Sequence, residues 1–204
     1  MLKQISKTKS GYTIIETMIS VSVFLVVVLA GTSTLLQANV LHQKSQDMRS
    51  IMDSLSFMIE EISRDLRTGT NYRCITSANG GFAQPGIATA LSGASCSAIA
   101  FEYTFGDDTI ATDQWIYKIE STNGGVTYNI SKSTDGGTSW VQLNPSEVVL
   151  NGTIAPFSVL GAPIPPGDTQ QPLVMIRLVG NITYKGVVSP FSLQTSVSQR
   201  LVDL

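Results

Sequence analysis

The sequence predicts an α+β fold, in which a long N-terminal helical stem precedes an antiparallel, β-rich globular head. One observation is that residues 12–68 start apolar, keep helical periodicity to their end, and contain no proline and no glycine after Gly31. Another is the change of composition beyond that stretch. Residues 70–204 are rich in Gly, Thr, Ser and Asn and hold short alternating segments separated by glycine pairs. We expect the first half of the stem to cross a membrane and its amphipathic second half to pack on the head.

The chain opens with a basic leader over residues 1–11, which carries three lysines and no acid. A predicted transmembrane and polymerisation segment follows over residues 12–36, because about 20 apolar residues suffice to cross a bilayer. The lysines before it predict a cytoplasmic N-terminus. A cleaved secretory signal is the alternative, since Ala30-Gly31-Thr32 has the composition of a signal cleavage site. Helical periodicity continues past that point, which favours a stem over a signal.

The second half of the stem has one apolar face. Apolar residues recur there at steps of three and four, while most of the charged residues fall on the other face. Gly69 follows two arginines and the last apolar position, which is a typical helix stop. We therefore predict a helical stem over residues 12–69. The apolar positions that define its second half are Met48, Ile51, Met52, Leu55, Met58, Ile59, Ile62 and Leu66.

The junction between leader and stem reads Gly11-Tyr12-Thr13-Ile14-Ile15-Glu16. It resembles the processing site of type IV prepilins and type II secretion pseudopilins, in which a basic leader ends in Gly and is followed by an aromatic residue, a small or polar residue, two aliphatic residues and a Glu. Tyr12 stands where the family usually has Phe. The stem end, residues 62–67, resembles that of J-type minor pseudopilins and the related W-type minor pilins. The resemblance covers the leader and stem, about a third of the chain. Many members of the family have a proline in the middle of the stem, which this sequence lacks.

This resemblance implies cleavage after Gly11 by a prepilin peptidase and N-methylation of the new amino terminus at Tyr12. Glu16 is then expected to pair with the N-terminal amine of a neighbouring subunit, because a carboxylate among apolar helices requires a cation. A carboxylate that extends to the membrane edge is the alternative. Implied partners are other pilin or pseudopilin subunits through the N-terminal helix, the prepilin peptidase and an inner-membrane assembly platform. The implied location is the inner membrane, with the head outside the cytoplasm, and then a filament.

The head, residues 70–204, is predicted to contain eight strands around one core. Trp115, Tyr117 and Ile119 alternate onto one face, as strand residues do. Asn123-Gly124-Gly125 and Asp135-Gly136-Gly137 supply turn residues, so residues 114–143 are expected to form an antiparallel meander. The candidate strands are Ile99–Phe105, Gln114–Glu120, Val126–Lys132, Ser139–Leu143, Val148–Leu150, Phe157–Leu160, Leu173–Val179 and Phe191–Leu201.

The sequence contains two cysteines, Cys74 and Cys96, both on the side expected to be exported. In an oxidising compartment, two cysteines that flank a Gly/Ala/Ser-rich loop predict one disulfide. Closing such a loop stabilises the fold by about 3 kcal/mol in the chain-entropy model. Two free thiols are the alternative. A metal site is disfavoured, because the only histidine, His42, lies in the stem.

Two head motifs invite a functional interpretation. Residues 133–140 fit the Asp-box pattern Ser-x-Asp-x-Gly-x-x-Trp of sialidase propellers, but one box without repeated blades favours a structural hairpin. Asp107, Asp108 and Asp113 form an acidic loop whose oxygens could bind Ca²⁺. Their spacing matches no EF-hand, and a solvated turn is the favoured interpretation.

The remaining composition argues against an enzyme and against a nucleic-acid partner. The head has no histidine for a Ser-His-Asp set, and no Gly-Lys-Ser/Thr follows its glycine pairs. Removing the leader takes three of 13 basic residues and none of 15 acids, which leaves 10 − 15 = −5. We expect no cofactor. The preferred function is a non-enzymatic filament subunit, and a monomeric membrane-anchored adhesin or glycan-binding module is the alternative.

Overall fold

The computed structural model describes residues 11–76, 90–107, 110–122, 124–125, 127–163 and 169–200. The leader positions before Gly11, Asp108, and the predicted strand end at Leu201 lie outside these residues, as do Asn123 and Val126. The chain divides into two compact units, residues 1–47 and residues 48–204. The first unit consists, where described, of the start of helix α1, and the second contains its remainder and all the strands.

Helix α1 covers Ile14–Thr68 and is followed in the described residues by ten strands of one antiparallel sheet. The α+β fold with a helical stem and a β-rich head is thus confirmed. The strands are β1 (Thr70–Ile75), β2 (Gly93–Cys96), β3 (Ala98–Glu102), β4 (Trp115–Ser121), β5 (Tyr128–Ser133), β6 (Val141–Gln142), β7 (Val148–Leu150), β8 (Phe157–Leu160), β9 (Leu173–Tyr184) and β10 (Val187–Ser198).

The strand order closes the sheet into a circuit. Strands run β1-β3-β4-β5-β7-β9 and then β8-β2, with β6 beside β5. Both β7 and β8 lie along one side of β9, because β10 occupies the other side over its whole length. The segment before β2 returns to β1: the Cys74 N–H donates to the Leu91 carbonyl and the Leu91 N–H to the Tyr72 carbonyl, each at 2.9 Å.

The core of the second unit lies between the end of α1 and the sheet. Leu55, Ile62 and Leu66 of the helix are fully buried against strand residues such as Phe101 and Tyr117. Gly69 ends the helix where predicted, and a side chain there would collide with the Phe101 ring. A smaller apolar cluster, Ile75, Ala98, Ala100 and Ile116, packs with Trp140.

The structure also departs from the predicted strands. Strands β1 and β2 were not predicted. Residues 139–143 were predicted as one strand, but only Val141–Gln142 pair, because the Asp135 carboxylate binds Ser139 in the turn. Strands β9 and β10 form one long hairpin, where the sequence indicated two separated strands. Its turn, Lys185-Gly186, has positive φ at both residues, 45° and 79°.

Candidate functional site

The N-terminal end of α1 is fixed by a cap at Thr13. The Thr13 hydroxyl oxygen accepts a hydrogen bond from the Glu16 N–H at 3.3 Å, and its carbonyl accepts one from the Thr17 N–H at 3.2 Å. Glu16 is therefore the third helical residue, and Gly11 and Tyr12 precede the helix. The predicted helix began at Tyr12. The Thr-x-x-Glu spacing is that of a capping box, a signal in the sequence that could have located this start.

Gly11 is not required by the fold around it. A side chain built at this position meets no atom of the chain within 4 Å. A restriction to glycine would therefore come from a partner that binds the backbone at this position. Cleavage after Gly11 and methylation at Tyr12 remain predictions.

The first part of α1 presents an apolar surface on all sides. Among the described residues, this is a helix long and apolar enough to cross a membrane, with a mean hydropathy of 2.4 over 18 residues. Its hydroxyl groups bond to carbonyls of the preceding turn at 2.8–3.1 Å, which leaves few polar groups to solvate in lipid. The hydroxyl residues are Thr17, Ser20, Ser22, Thr32, Ser33 and Thr34.

Glu16 is the only charged residue between Lys9 and Lys44. Within the described part of the chain, its carboxylate forms no ion pair. A helix N-terminus stabilises an acid by about 0.3–1 kcal/mol, whereas insertion of a charge costs about 2.5–3.5 kcal/mol. The cap and the helix dipole therefore offset only part of the cost. A cation from outside the described chain would offset the remainder.

A buried charged cluster joins the end of the stem to the sheet, and sequence reasoning missed it. The Lys132 Nζ lies 2.7 Å from the Asp65 Oδ2 and 3.1 Å from the Glu61 Oε1. The Tyr117 hydroxyl donates to the same Asp65 oxygen at 2.6 Å. The ammonium group also lies 4.3 Å from the centre of the Trp115 ring. Burial, and then the hydrogen bond to Asp65, raise the pKa of Tyr117. The cluster is a structural joint between α1, β4 and β5.

Cys74 and Cys96 form the expected disulfide, which links β1 to β2. Gly93 lies against it, and a side chain there would collide with the Cys74 sulfur. The bond therefore fastens the point where the strand circuit returns to β1. The two cysteines are not available as metal ligands.

The Asp-box residues form the turn between β5 and β6. The Asp135 carboxylate accepts hydrogen bonds from the N–H of Thr138 at 3.0 Å and from the N–H and hydroxyl of Ser139. The Ser139 hydroxyl, its N–H and the Ser133 hydroxyl lower the pKa of Asp135 to about 2. The Trp140 Nε1–H donates to the Gly137 carbonyl at 3.0 Å. All these groups are used in holding the turn, as the structural interpretation expects.

Two residues of the acidic loop are joined by a hydrogen bond. The Asp113 Oδ2 accepts a hydrogen bond from the Asp107 N–H at 2.8 Å. Asp108 lies outside the described residues. Within those residues, no group of three or more His, Cys, Asp or Glu side chains is arranged to hold a metal ion. Calcium binding by Asp107, Asp108 and Asp113 remains untested.

One cavity in the head, of about 490 Å³, has a neutral lining. The Tyr128 ring forms part of its wall and lies directly on Gly152, where a side chain would collide with the ring. The lining combines hydroxyl and apolar groups and contains no charged residue among those described. Its other members are Thr76, Ser95, Ser97, Ile119, Thr153, Ile154, Ala155 and Pro156.

Comparisons of this chain with known protein families, with curated proteins and with solved structures found no match.

Proposed function

We propose that this chain is a non-enzymatic structural subunit of a type IV pilus or a pilus-like filament of a secretion system. One observation carries the proposal: Glu16 is the only charge in the apolar first part of α1, up to Lys44, and it lies in the first turn of the helix, five residues after Gly11. A single-pass anchor has no need of an acid at this depth. An assembly of parallel helices does, if each helix also supplies a cation.

Processing after Gly11 would create that cation. The new amino terminus at Tyr12 would lie just before the capped first turn, and its methylated amine would keep its positive charge. In a stack of such helices, the amine of one subunit and the Glu16 carboxylate of the next would neutralise each other. Prepilin peptidase, the inner-membrane assembly platform and the other subunits are the partners that this route requires. The resemblance of residues 62–67 to J- and W-type stems favours a minor subunit.

The direct test is mass spectrometry of filaments sheared from cells that express the full chain. We expect the protein in the sheared fraction, at low abundance relative to a major subunit, beginning at a methylated Tyr12. Full-length protein confined to the membrane would refute the proposal.

The role of the Glu16 charge can be separated from its role in the cap. Glu16→Gln keeps a side chain that a capping box accepts but removes the charge. We expect normal processing, accumulation in the inner membrane and little protein in filaments. Thr13→Val is the matched control, because it removes the cap oxygen and keeps the charge, and it should assemble nearly as well as the wild type. Equal assembly of Glu16→Gln and wild type would mean that the carboxylate only extends to the membrane edge.

The cavity beside Tyr128 favours a second candidate function, a membrane-anchored module that binds a neutral glycan. Hydroxyl groups beside an aromatic ring are suited to the polar edges and apolar faces of sugars. Binding of neutral glycans by the full chain, lost in Tyr128→Ala and kept in Tyr184→Ala, would support it. Unchanged binding in the first variant would remove the cavity from consideration.

A further inference from the structure

The outer edge of β10 presents backbone groups that no described residue binds. Hydrogen bonds on the other side of β9 show which way that strand directs its own backbone groups. Arg177, Val179 and Thr183 all bond away from β10, toward residues 147–156. These three residues lie opposite Gln194, Ser192 and Val188, respectively. In an antiparallel ladder, the backbone groups of the residues opposite such positions also point away from the partner strand. The N–H and C=O groups of Ser192 and Gln194, and by alternation those of Ser196 and Ser198, therefore face the free edge.

This edge has little of the protection that exposed strands usually carry. Natural sheets protect their edges with charges, prolines, bulges or short strands. Strand β10 is 12 residues long and pairs with β9 without a register shift. No charged residue occurs from Val187 to Gln199. Pro190 blocks one outward position, and the stretch from Ser192 to Ser198 remains open.

We propose that two copies of this chain pair their heads edge to edge through β10, antiparallel and about a two-fold axis at Thr195. This register sets Ser192 opposite Ser198 of the second copy and Gln194 opposite Ser196. All four residues direct their backbone groups toward the partner. The four residue pairs across the axis would exchange about eight hydrogen bonds. The pairing involves the head alone and is independent of the filament role.

The features of the edge match a second copy as the occupant. Identical strands without charges meet with no like-charge repulsion, and hydroxyl and amide side chains face each other on the exposed side. On the other side, Leu193 of one copy lies opposite the Val197 of its partner. Pro190 falls just beyond the paired stretch, so its missing N–H removes no bond. A two-fold contact uses both edges, so that it closes as a dimer and does not propagate as a fibre.

Cross-linking tests the register in the full chain in detergent micelles. The two native cysteines are bonded to each other, so an introduced cysteine is the only free thiol. Thr195→Cys lies on the two-fold axis, where opposite Cα atoms of a non-hydrogen-bonded pair are about 4.5 Å apart and a disulfide can form. Ser192→Cys is the register control, because its copies would be about 20 Å apart, six residues along a strand. We expect a covalent dimer from the first variant and none from the second. Equal cross-linking by both, or by neither, would overturn the proposal.

Proline substitution separates head pairing from association of the apolar helices. Gln194→Pro removes an outward N–H inside the paired stretch, while Val188→Pro removes an outward N–H outside it. Neither breaks a backbone hydrogen bond to β9, and Gln194→Pro gives up only the exposed side-chain contact of 3.4 Å between Gln194 Nε2 and Met175 Sδ. Hydrogen exchange is measured on peptides covering residues 187–199 as the protein is concentrated. In the wild type and in Val188→Pro, about four more amides should become protected, and in Gln194→Pro they should not. Concentration-independent exchange in the wild type, or equal protection in Gln194→Pro, would contradict edge pairing.

Discussion

Replacing Lys132 by Met should destabilise the head strongly, although the two side chains have nearly the same volume. The Lys132 and Asp65 side chains are 14% and 11% exposed, and their charged atoms lie 2.7 Å apart. Removing one partner of a buried ion pair costs about 3–5 kcal/mol, because the other charge stays buried. Asp65 keeps the Tyr117 hydroxyl as a donor, which places the cost at the lower end. The Glu61 contact adds little, since that side chain is 40% exposed and solvent screens it.

The expected loss is therefore about 3 kcal/mol in the free energy of unfolding, or about 6–12 °C in the midpoint temperature for a chain of this size. Near-ultraviolet circular dichroism of the full chain in detergent measures it, because the aromatic side chains of the core report on the head. Lys185→Met is the matched control at an exposed turn, where the ammonium lies 4.9 Å from the centre of the Tyr184 ring, and its expected change is within about 1 kcal/mol. A triple variant, Lys132→Met with Asp65→Leu and Tyr117→Phe, should recover most of the loss. If Lys132→Met is no worse than the control, the buried-charge argument is wrong.

Four further predictions address separate parts of the chain. Gly11→Val should leave unprocessed protein in the membrane, because a side chain there would meet the peptidase; normal-sized filament protein would contradict this. Cys74 and Cys96 should resist alkylation in the denatured, unreduced protein and react after reduction; labelling without reduction would exclude the bond. Because the pKa of Tyr117 is raised in the folded state, its contribution to the free energy of unfolding is complete below about pH 10 and is lost progressively above it. The free energy of unfolding of Tyr117→Phe should therefore fall less steeply above about pH 10 than that of the wild type. The same alkaline profile in both proteins would argue against this. The lowered pKa of Asp135 gives a contribution present above about pH 4 that is lost as the pH falls toward about 2. The NMR signal of the Trp140 indole N–H should shift over that range in the wild type and not in Asp135→Asn. The same shift in both proteins would refute the role of the carboxylate.

Local signals were enough to predict the stem and the meander of the head. The apolar face of the second half of the stem follows from helical spacing alone, and Leu55, Ile62 and Leu66 are buried as expected. Glycine pairs supplied the turns: Gly124, Gly125, Gly136 and Gly137 all have positive φ. These features depend on neighbours in sequence, so that a short window of sequence contains the information.

Features that depend on distant residues were not predictable in this way. Strand β1 pairs with β3, and β2 with β8, which lies about 60 residues later in the chain, so neither has a local partner. The turn at Lys185-Gly186 joins β9 and β10 with a lysine in a conformation that usually selects Asn, Asp or Gly. Alternation along β5 places Lys132 on the same face as the buried Ile130, but the sequence does not show what neutralises it there, because only the packing of α1 brings Asp65 to it. In the candidate site, Gly11, Tyr12 and Glu16 came from the pattern of the junction, whereas the cap at Thr13 came from the structure.

The inward-folded hydroxyl groups of the first helical segment have a geometric consequence. Because Thr17, Ser20, Ser22 and their counterparts further along bond to their own backbone, no side of the helix differs in polarity from another over residues 17–36, beyond Glu16. A neighbour could approach from any azimuth at nearly equal free energy. Glu16 projects from one side of the helix at one height, so it marks both a level along the axis and a direction about it. In any bundle of such helices, height and facing would both depend on this one residue, while the apolar surface beyond it would accept neighbours at any rotation.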